Sequence, residues 1–234
     1  MEKNNREFIL IRKKDEAENI TSLFFKPVDS LEYKFIPGQY VNIKPQSIIG
    51  HSKSYTISSL PTEKNIVITI RRKGEVSSAI LDLPIGGKLF FDGPYGYFYP
   101  EGNDGDLVML AGGIGITPFY SIIKSKLLSN FKSNITLFYS NKSIDRIPFF
   151  DELNKMSKDY PFLKIIYCLT DEDIEHPLIK EYSRINKKIL EKYIVSVDKK
   201  CYYVCGSVEF VNDIWKILKS IGVEEEKIFT ESFF

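Results

Sequence analysis

Residues 109–122 read Met-Leu-Ala-Gly-Gly-Ile-Gly-Ile-Thr-Pro-Phe-Tyr-Ser-Ile. Gly112, Gly113, Gly115 and Pro118 stand where an apolar run hands over to a helix-like pattern. A glycine-rich turn of this kind points free backbone N–H groups at an anion, most often a phosphate. The spacing Gly113-x-Gly115-x-x-Pro118 departs from the common dinucleotide pattern by placing proline in the third slot. Thr117 is expected to cap the helix with its hydroxyl, and Pro118 to occupy the first helical position, where a missing N–H costs nothing. A tight connection without a ligand would require fewer glycines. The next strand of this half ends Tyr139-Ser140-Asn141-Lys142-Ser143, where a free ribose would call for an acid. Ser140, Lys142 and Arg146 are instead neutral or basic, which suits a 2′-phosphate and ordinary loop polarity equally.

A second group lies earlier. His51-Ser-Lys-Ser-Tyr-Thr-Ile-Ser-Ser59 surrounds one aromatic ring with hydroxyls and a cation. A flat ligand carrying phosphate could use Tyr55 against its ring, Lys53 on the phosphate and Thr56 on a ring heteroatom, with Ser54 alongside. Serine and threonine alternating on an exposed strand would look the same. Downstream, the run from Ile70 and Arg71 through Gly74, Val76 and Ser77 leaves a strand and enters a short helix. Its first N–H groups and Ser77 could take a second phosphate.

These groups need two kinds of scaffold. Residues 1–101 hold short β-branched and aromatic runs separated by Gly, Pro, Asn and Asp, the grammar of an antiparallel β-barrel or sandwich, with one helix at Val76–Leu83. Residues 102–234 alternate apolar strands with amphipathic helices, beginning with Asp106–Ala111. That pattern predicts an α/β unit with a doubly wound parallel sheet. Gly102–Gly105 is the natural linker.

The bulk numbers are ordinary. In 234 residues, 43% are hydrophobic and 27% charged, and the net charge of +1 gives no general pull toward nucleic acid or anionic membrane. The basic runs at Lys13–Lys14, Arg71–Lys73, Lys187–Lys188 and Lys199–Lys200 are read as solvated surface. Three cysteines and two histidines offer little to a disulfide scaffold or a metal site, and no metal is expected. No run approaches the ~18 apolar residues of a membrane span, so a cytoplasmic protein is expected.

Taken in order, these motifs resemble the ferredoxin–NADP reductase superfamily over nearly the whole chain. Lys53-Ser-Tyr-Thr-Ile-Ser-Ser59 is similar to the family's flavin motif, and Gly74-Glu-Val-Ser77 to its phosphate-binding Gly-x-x-Ser. Asp92–Phe98 resembles the segment that closes the barrel, and Ala111–Pro118 the nicotinamide-nucleotide turn. Cys205-Gly206 and the ending Glu231-Ser-Phe-Phe234 also have family counterparts. Lys53 stands where the family carries arginine, keeping the charge but losing the bidentate fork. Ser207 replaces a proline and can cap the helix that follows.

The resemblance implies a flavin-dependent oxidoreductase that takes a hydride from NAD(P)H and passes electrons on singly. FAD is the implied cofactor, with FMN possible. By position Thr56 would hydrogen-bond the reactive flavin nitrogen, Thr117 and Cys205 would line the nicotinamide pocket, Glu231 would serve near the ring edge, and Phe233 would cover the ring. Plant-type iron–sulfur clusters need four cysteines, so a reductase module without that domain is expected, with a separate protein or small molecule as acceptor. The alternative is a non-catalytic flavin- or nucleotide-binding subunit of a larger redox complex.

Overall fold

The structure is a computed structural model that describes residues 5–45, 48, 51–101, 105–129, 131, 133–171 and 175–233. Gly102, Asn103 and Asp104 of the expected linker, and Phe234, lie outside the described residues.

The first half is an antiparallel sheet. β1 (Asn5–Ala17), β2 (Ile20–Pro27), β3 (Tyr40–Ile43), β4 (Lys53–Thr56), β5 (Ile66–Arg71) and β6 (Lys88–Tyr95) take the spatial order β4-β3-β6-β1-β2-β5. Phe8 and Leu10 on β1 alternate inward and are fully buried, as a strand with one wet face requires. They meet Leu23, Phe25, Val41, Ile68 and Phe91 in one core, where Phe8 stacks on Phe91 at 4.3 Å. The two outer strands curl toward each other. Ile57 bridges Ile68, and Ser58 N–H donates to Val67 O at 2.8 Å, so the sheet approaches a barrel. Helix α1 (Glu75–Asp82) plugs this core with Val76, Ile80 and Leu81.

The second half is the expected doubly wound sheet, parallel throughout. β7 (Asp106–Gly112), β8 (Ile135–Asn141), β9 (Leu163–Leu169), β10 (Ile179–Glu181), β11 (Lys200–Ser207) and β12 (Ile228–Phe233) run in the order β10-β9-β8-β7-β11-β12. α2 (Ile116–Leu128) and α3 (Phe150–Asp159) contribute to the core on one face, α4 (Lys187–Tyr193) and α5 (Val208–Ser220) to that on the other. The three-residue strand β10 carries too short a pattern to be read from sequence. Chain order reverses between β7 and β11, and such switch points open a crevice at the C-terminal strand ends. Those ends carry Gly112 and Ser207.

The halves interlock. Phe98, just past the barrel's last strand, inserts into the second core against Phe119 at 5.7 Å and Tyr203 at 5.4 Å. Burying one phenylalanine side chain contributes about 1.5–3 kcal/mol. Gly38 N–H donates across the seam to Ser121 Oγ of α2 at 3.2 Å.

Candidate functional site

The turn after β7 is tighter than its sequence suggests. Gly113–Gly115 form a 3₁₀ turn, and α2 starts at Ile116 with Gly115 as its N-cap. Thr117 therefore does not cap the helix as expected. It is the second helical residue, and its hydroxyl donates back to Ile114 O at 3.1 Å. Pro118 is third rather than first, still within the turn whose N–H groups have no helical acceptor. Two of the glycines are demanded by protein contacts. Gly113 has φ +53°, and a Cβ there would lie 2.9 Å from Arg71 Nη2. A Cβ on Gly115 would lie 2.2 Å from Cys205 O. The glycines hold the turn against both the barrel and the neighbouring strand, so their number alone is no argument for a ligand.

Register then assembles the site. Ala111 pairs with Cys205, Cys205 with Glu231, Gly206 with Ser232, and Ser207 with Phe233, while Gly112 lies beside Ser140. Gly112 and Gly206 both face the ring of Phe210. Phe210 N–H donates to Ser207 Oγ at 3.2 Å, the expected cap of α5. Cys205 is completely buried, and burial with the nearby Glu231 charge pushes its thiol well above the ordinary value. It is a neutral thiol at physiological pH. Burial raises the Glu231 carboxyl to about 7, and its Oε2 has no hydrogen-bond partner.

On the barrel side Thr56 is 3% exposed, and its Oγ1 is likewise buried without a partner. Ile57 N–H donates to Gln39 O at 2.9 Å, and adjacent Gly38 reaches Ser121, one turn beyond Thr117. The end of β4 is thus tied to the first turns of α2. Tyr55 packs partly on the barrel core, which pushes its phenol up to about 12. Lys53 is exposed and makes no ion pair among the described residues. Ser54 turns to Asn42 Oδ1 at 2.7 Å. Ser77 does not reach outward: its hydroxyl accepts from the amides of Lys73 and Gly74 and donates to Gly74 O, closing the loop. The amides of Glu75, Val76 and Ser77 remain as donors at the head of α1, and a Cβ on Gly74 would meet nothing within 4 Å. Buried Ile70 and half-buried Arg71 end β5 beside this loop.

Arg71 joins the two groups. It belongs to the barrel but lies on Gly113 of the turn, and its guanidinium makes no ion pair or hydrogen bond among the described residues. Burial pulls its pKa below the ordinary guanidinium value, the mark of a cation short of a counter-ion. Two nearby groups escaped sequence reasoning. Tyr139 OH and both polar atoms of the Asn141 amide are buried and unpartnered, approaching one another without meeting hydrogen-bond geometry. Nothing in a strand's letters reveals an unsatisfied buried polar atom. Lys142 and Arg146 point elsewhere: Lys142 pairs with Asp171 at 3.7 Å and Arg146 with Glu18.

With the geometry in place, the chain can be set beside known proteins. Residues 7–99 match the Oxidoreductase FAD-binding domain and residues 109–216 the Oxidoreductase NAD-binding domain. The chain belongs to the ferredoxin–NADP reductase superfamily. It is an NAD(P)H-dependent flavoprotein reductase, and its cofactors are FAD and NAD(P)H. Within this superfamily it is 29% identical to a flavohemoprotein of Bacillus subtilis over 240 residues, covering 99% of this chain and 60% of the relative. Flavohemoprotein A of Dictyostelium discoideum is also 29% identical, with 99% and 61% covered. The chain thus spans about 60% of the length of these relatives. In fold it is similar to the FAD/NAD-binding domain of a Vibrio cholerae nitric oxide dioxygenase, with TM-score 0.88, 22% identity and 97% and 98% of the two chains covered. A Neisseria gonorrhoeae ferredoxin–NADP⁺ reductase solved with FAD and NADP gives TM-score 0.84 at 20% identity over 100% of both chains.

The residues fit such cofactors. Thr56 Oγ1 and Glu231 Oε2 are orphaned buried polar atoms, one from each half, and the space over Gly74 is open beside free amides. No described helix is long and apolar enough to cross a membrane.

Proposed function

We propose that residues 1–101 hold FAD, that residues 102–234 present NAD(P)H to it, and that the electrons leave singly for a separate acceptor. The acceptor is read as a ferredoxin- or flavodoxin-like protein, an oxygenase component or a small molecule. The observation that carries this reading is the pair of orphaned buried atoms, Thr56 Oγ1 and Glu231 Oε2. A buried polar atom without a partner costs about 1–3 kcal/mol, and a bound ligand with matching donors and acceptors removes that penalty.

A bound flavin supplies the capacity to take up a hydride and release single electrons. The chain does the rest. Tyr55 covers a ring face, Lys53 and the amides of Glu75, Val76 and Ser77 neutralise phosphate, and Thr56 Oγ1 offers a hydrogen bond at the ring. The turn Gly112–Thr117, packed through its glycines against Phe210, Arg71 and Cys205, offers its free amides to a nucleotide, and Arg71 supplies the cation for its phosphates. Thr117, Gly206 and the neutral Cys205 thiol line the nicotinamide side, and Phe233 covers the ring face opposite the barrel. Glu231, titrating near neutrality, can hold or release a proton at Oε2. Ser140 and Lys142 border the far end of the nucleotide. The three free cysteines support a reducing compartment, the cytoplasm.

The test is the visible spectrum of the purified protein before and after anaerobic addition of NADH or NADPH. Bound yellow flavin that bleaches supports the reading; a colourless protein that takes up no added FAD refutes it. Comparing the two coenzymes measures whether Lys142 and Arg146 leave Asp171 and Glu18 for a 2′-phosphate.

A further inference from the structure

The flank of the seam behind the candidate site is charged in an orderly way. Lys14 on β1 lies 2.5 Å from Glu152 Oε1 on α3 and 2.9 Å from Glu16 Oε2 on its own strand. Glu63, between β4 and β5, pairs with Lys124 on α2. Glu18, in the β1–β2 turn, pairs with Arg146, and its N–H donates to Asp145 O at 2.8 Å. The barrel presents Glu18, Lys14 and Glu63; the sheet half answers with Arg146, Glu152 and Lys124. Signs alternate on both sides. Sliding one half by a single contact would set like charges face to face, so the row admits one register.

The row is half-buried at its centre and open at one end: the Lys124 side chain is 19% exposed and Glu63, Glu152 and Lys14 are 35%, 37% and 39% exposed, around a Glu16 side chain only 4% exposed, while Glu18 and Arg146 face solvent. The Lys14 ammonium is held above its ordinary pKa by its two acids, against the opposing effect of burial. At the centre is Tyr120, whose ring stacks on Phe149 at 3.9 Å, and whose phenol is raised by burial and by the charges of Glu152, Glu16 and Glu63. Tyr120 and Lys124 lie on α2, one and two turns beyond Thr117. A rigid helix therefore connects the charged row at one end to the nucleotide turn at the other.

We propose that this row is a positioning latch: it sets the register in which the turn Gly112–Thr117 faces Thr56, making Lys14, Glu63, Lys124 and Glu152 positioning residues for flavin reduction. The proposal rests on the reading that the two halves meet over a flavin. Two backbone amides report on the seam directly, Gly38 N–H bound to Ser121 Oγ and Glu18 N–H bound to Asp145 O.

Lys124→Glu places a carboxylate against Glu63, while the double variant Glu63→Lys with Lys124→Glu restores the attraction with the signs exchanged. Lys124→Met removes the charge without adding repulsion, and carries the test if Lys124→Glu does not fold. Each is prepared with FAD bound. Hydrogen–deuterium exchange at Gly38 and Glu18 is measured without nucleotide, and flavin reduction is followed in a single turnover at saturating coenzyme. Lys124→Glu is expected to keep FAD, to exchange faster at both amides with Leu107–Ala111 still protected, and to be reduced about tenfold more slowly, equivalent to about 1.4 kcal/mol of lost alignment. Lys124→Met should fall between, and the double variant should return both readouts toward wild type. Unchanged exchange and rate in Lys124→Glu and Lys124→Met, or a double variant no better than Lys124→Glu, would overturn the latch. A wild-type protein reduced by neither coenzyme would defeat the functional reading instead, while the exchange arm would still judge the latch.

Discussion

Glu231 makes the folded protein sensitive to alkali in a way that can be worked out. Its carboxyl is raised from 4.5 to about 7 by burial, with Oε2 unpartnered. The unfolded chain releases this proton near 4.5, so between about pH 5 and pH 7 the native state binds more protons than the unfolded state. Stability must then fall as pH rises through this window and level off above the folded pKa. At about 1.36 kcal/mol per unit, the loss from pH 5 to pH 8 is roughly 2.5 kcal/mol. Glu231→Gln keeps the shape and removes the titration. The difference in unfolding free energy between Glu231→Gln and wild type, measured by urea denaturation of the flavin-free proteins, should shift in the variant's favour by roughly 2.5 kcal/mol from pH 5 to pH 8. A pH-independent difference would refute the assignment of a buried, protonated carboxyl at this position.

Other perturbations follow from the same geometry. Gly115→Ala forces a methyl onto the Cys205 carbonyl and should destabilise the protein by about 3 kcal/mol, read as a lowered urea midpoint. An unchanged midpoint would mean the turn can move away at no cost. Thr56→Val removes an orphaned hydroxyl; it should stabilise the flavin-free protein by about 1 kcal/mol while slowing reduction of the flavin-loaded form, and a loss of flavin-free stability would contradict the orphan. Tyr55→Ala should lose FAD, seen as loss of yellow colour on gel filtration, while the sheet half keeps its protected amides; retained colour would move the flavin elsewhere.

Much of this architecture was legible because the two halves use different periods. Alternation along Glu7–Ile11 writes a half-exposed strand, and the unbroken run Leu107–Ala111 writes a buried one. The order of motifs then gave the superfamily, in agreement with both domain matches. Local cap chemistry was less readable. Thr117 has the letters of an N-cap, but the 3₁₀ turn at Gly113–Gly115 advances the helix start, so its hydroxyl turns back to Ile114. Ser77 looks like a phosphate ligand, yet its hydroxyl is used in closing its own loop. Lys14 was read with Lys13 as solvated charge, and only the fold brings α3 and Glu152 to it. Glu63 and Lys124 are 61 residues apart and equally anonymous. Burial of Tyr139, Asn141 and Glu231 without partners has no signature in sequence, because it depends on what packs above a strand rather than on the strand.

In the proposed reaction the turn Gly112–Thr117 delivers a reduced nicotinamide directly onto a flavin held by Tyr55 and Thr56. Anaerobic stopped-flow reduction of the FAD-loaded protein, comparing the preferred coenzyme with its counterpart deuterated at the nicotinamide C4 position, tests it most directly. Direct hydride delivery gives rapid loss of the oxidised flavin spectrum, slowed by a primary isotope effect. A flavin that stays oxidised in the presence of both NADH and NADPH would contradict it.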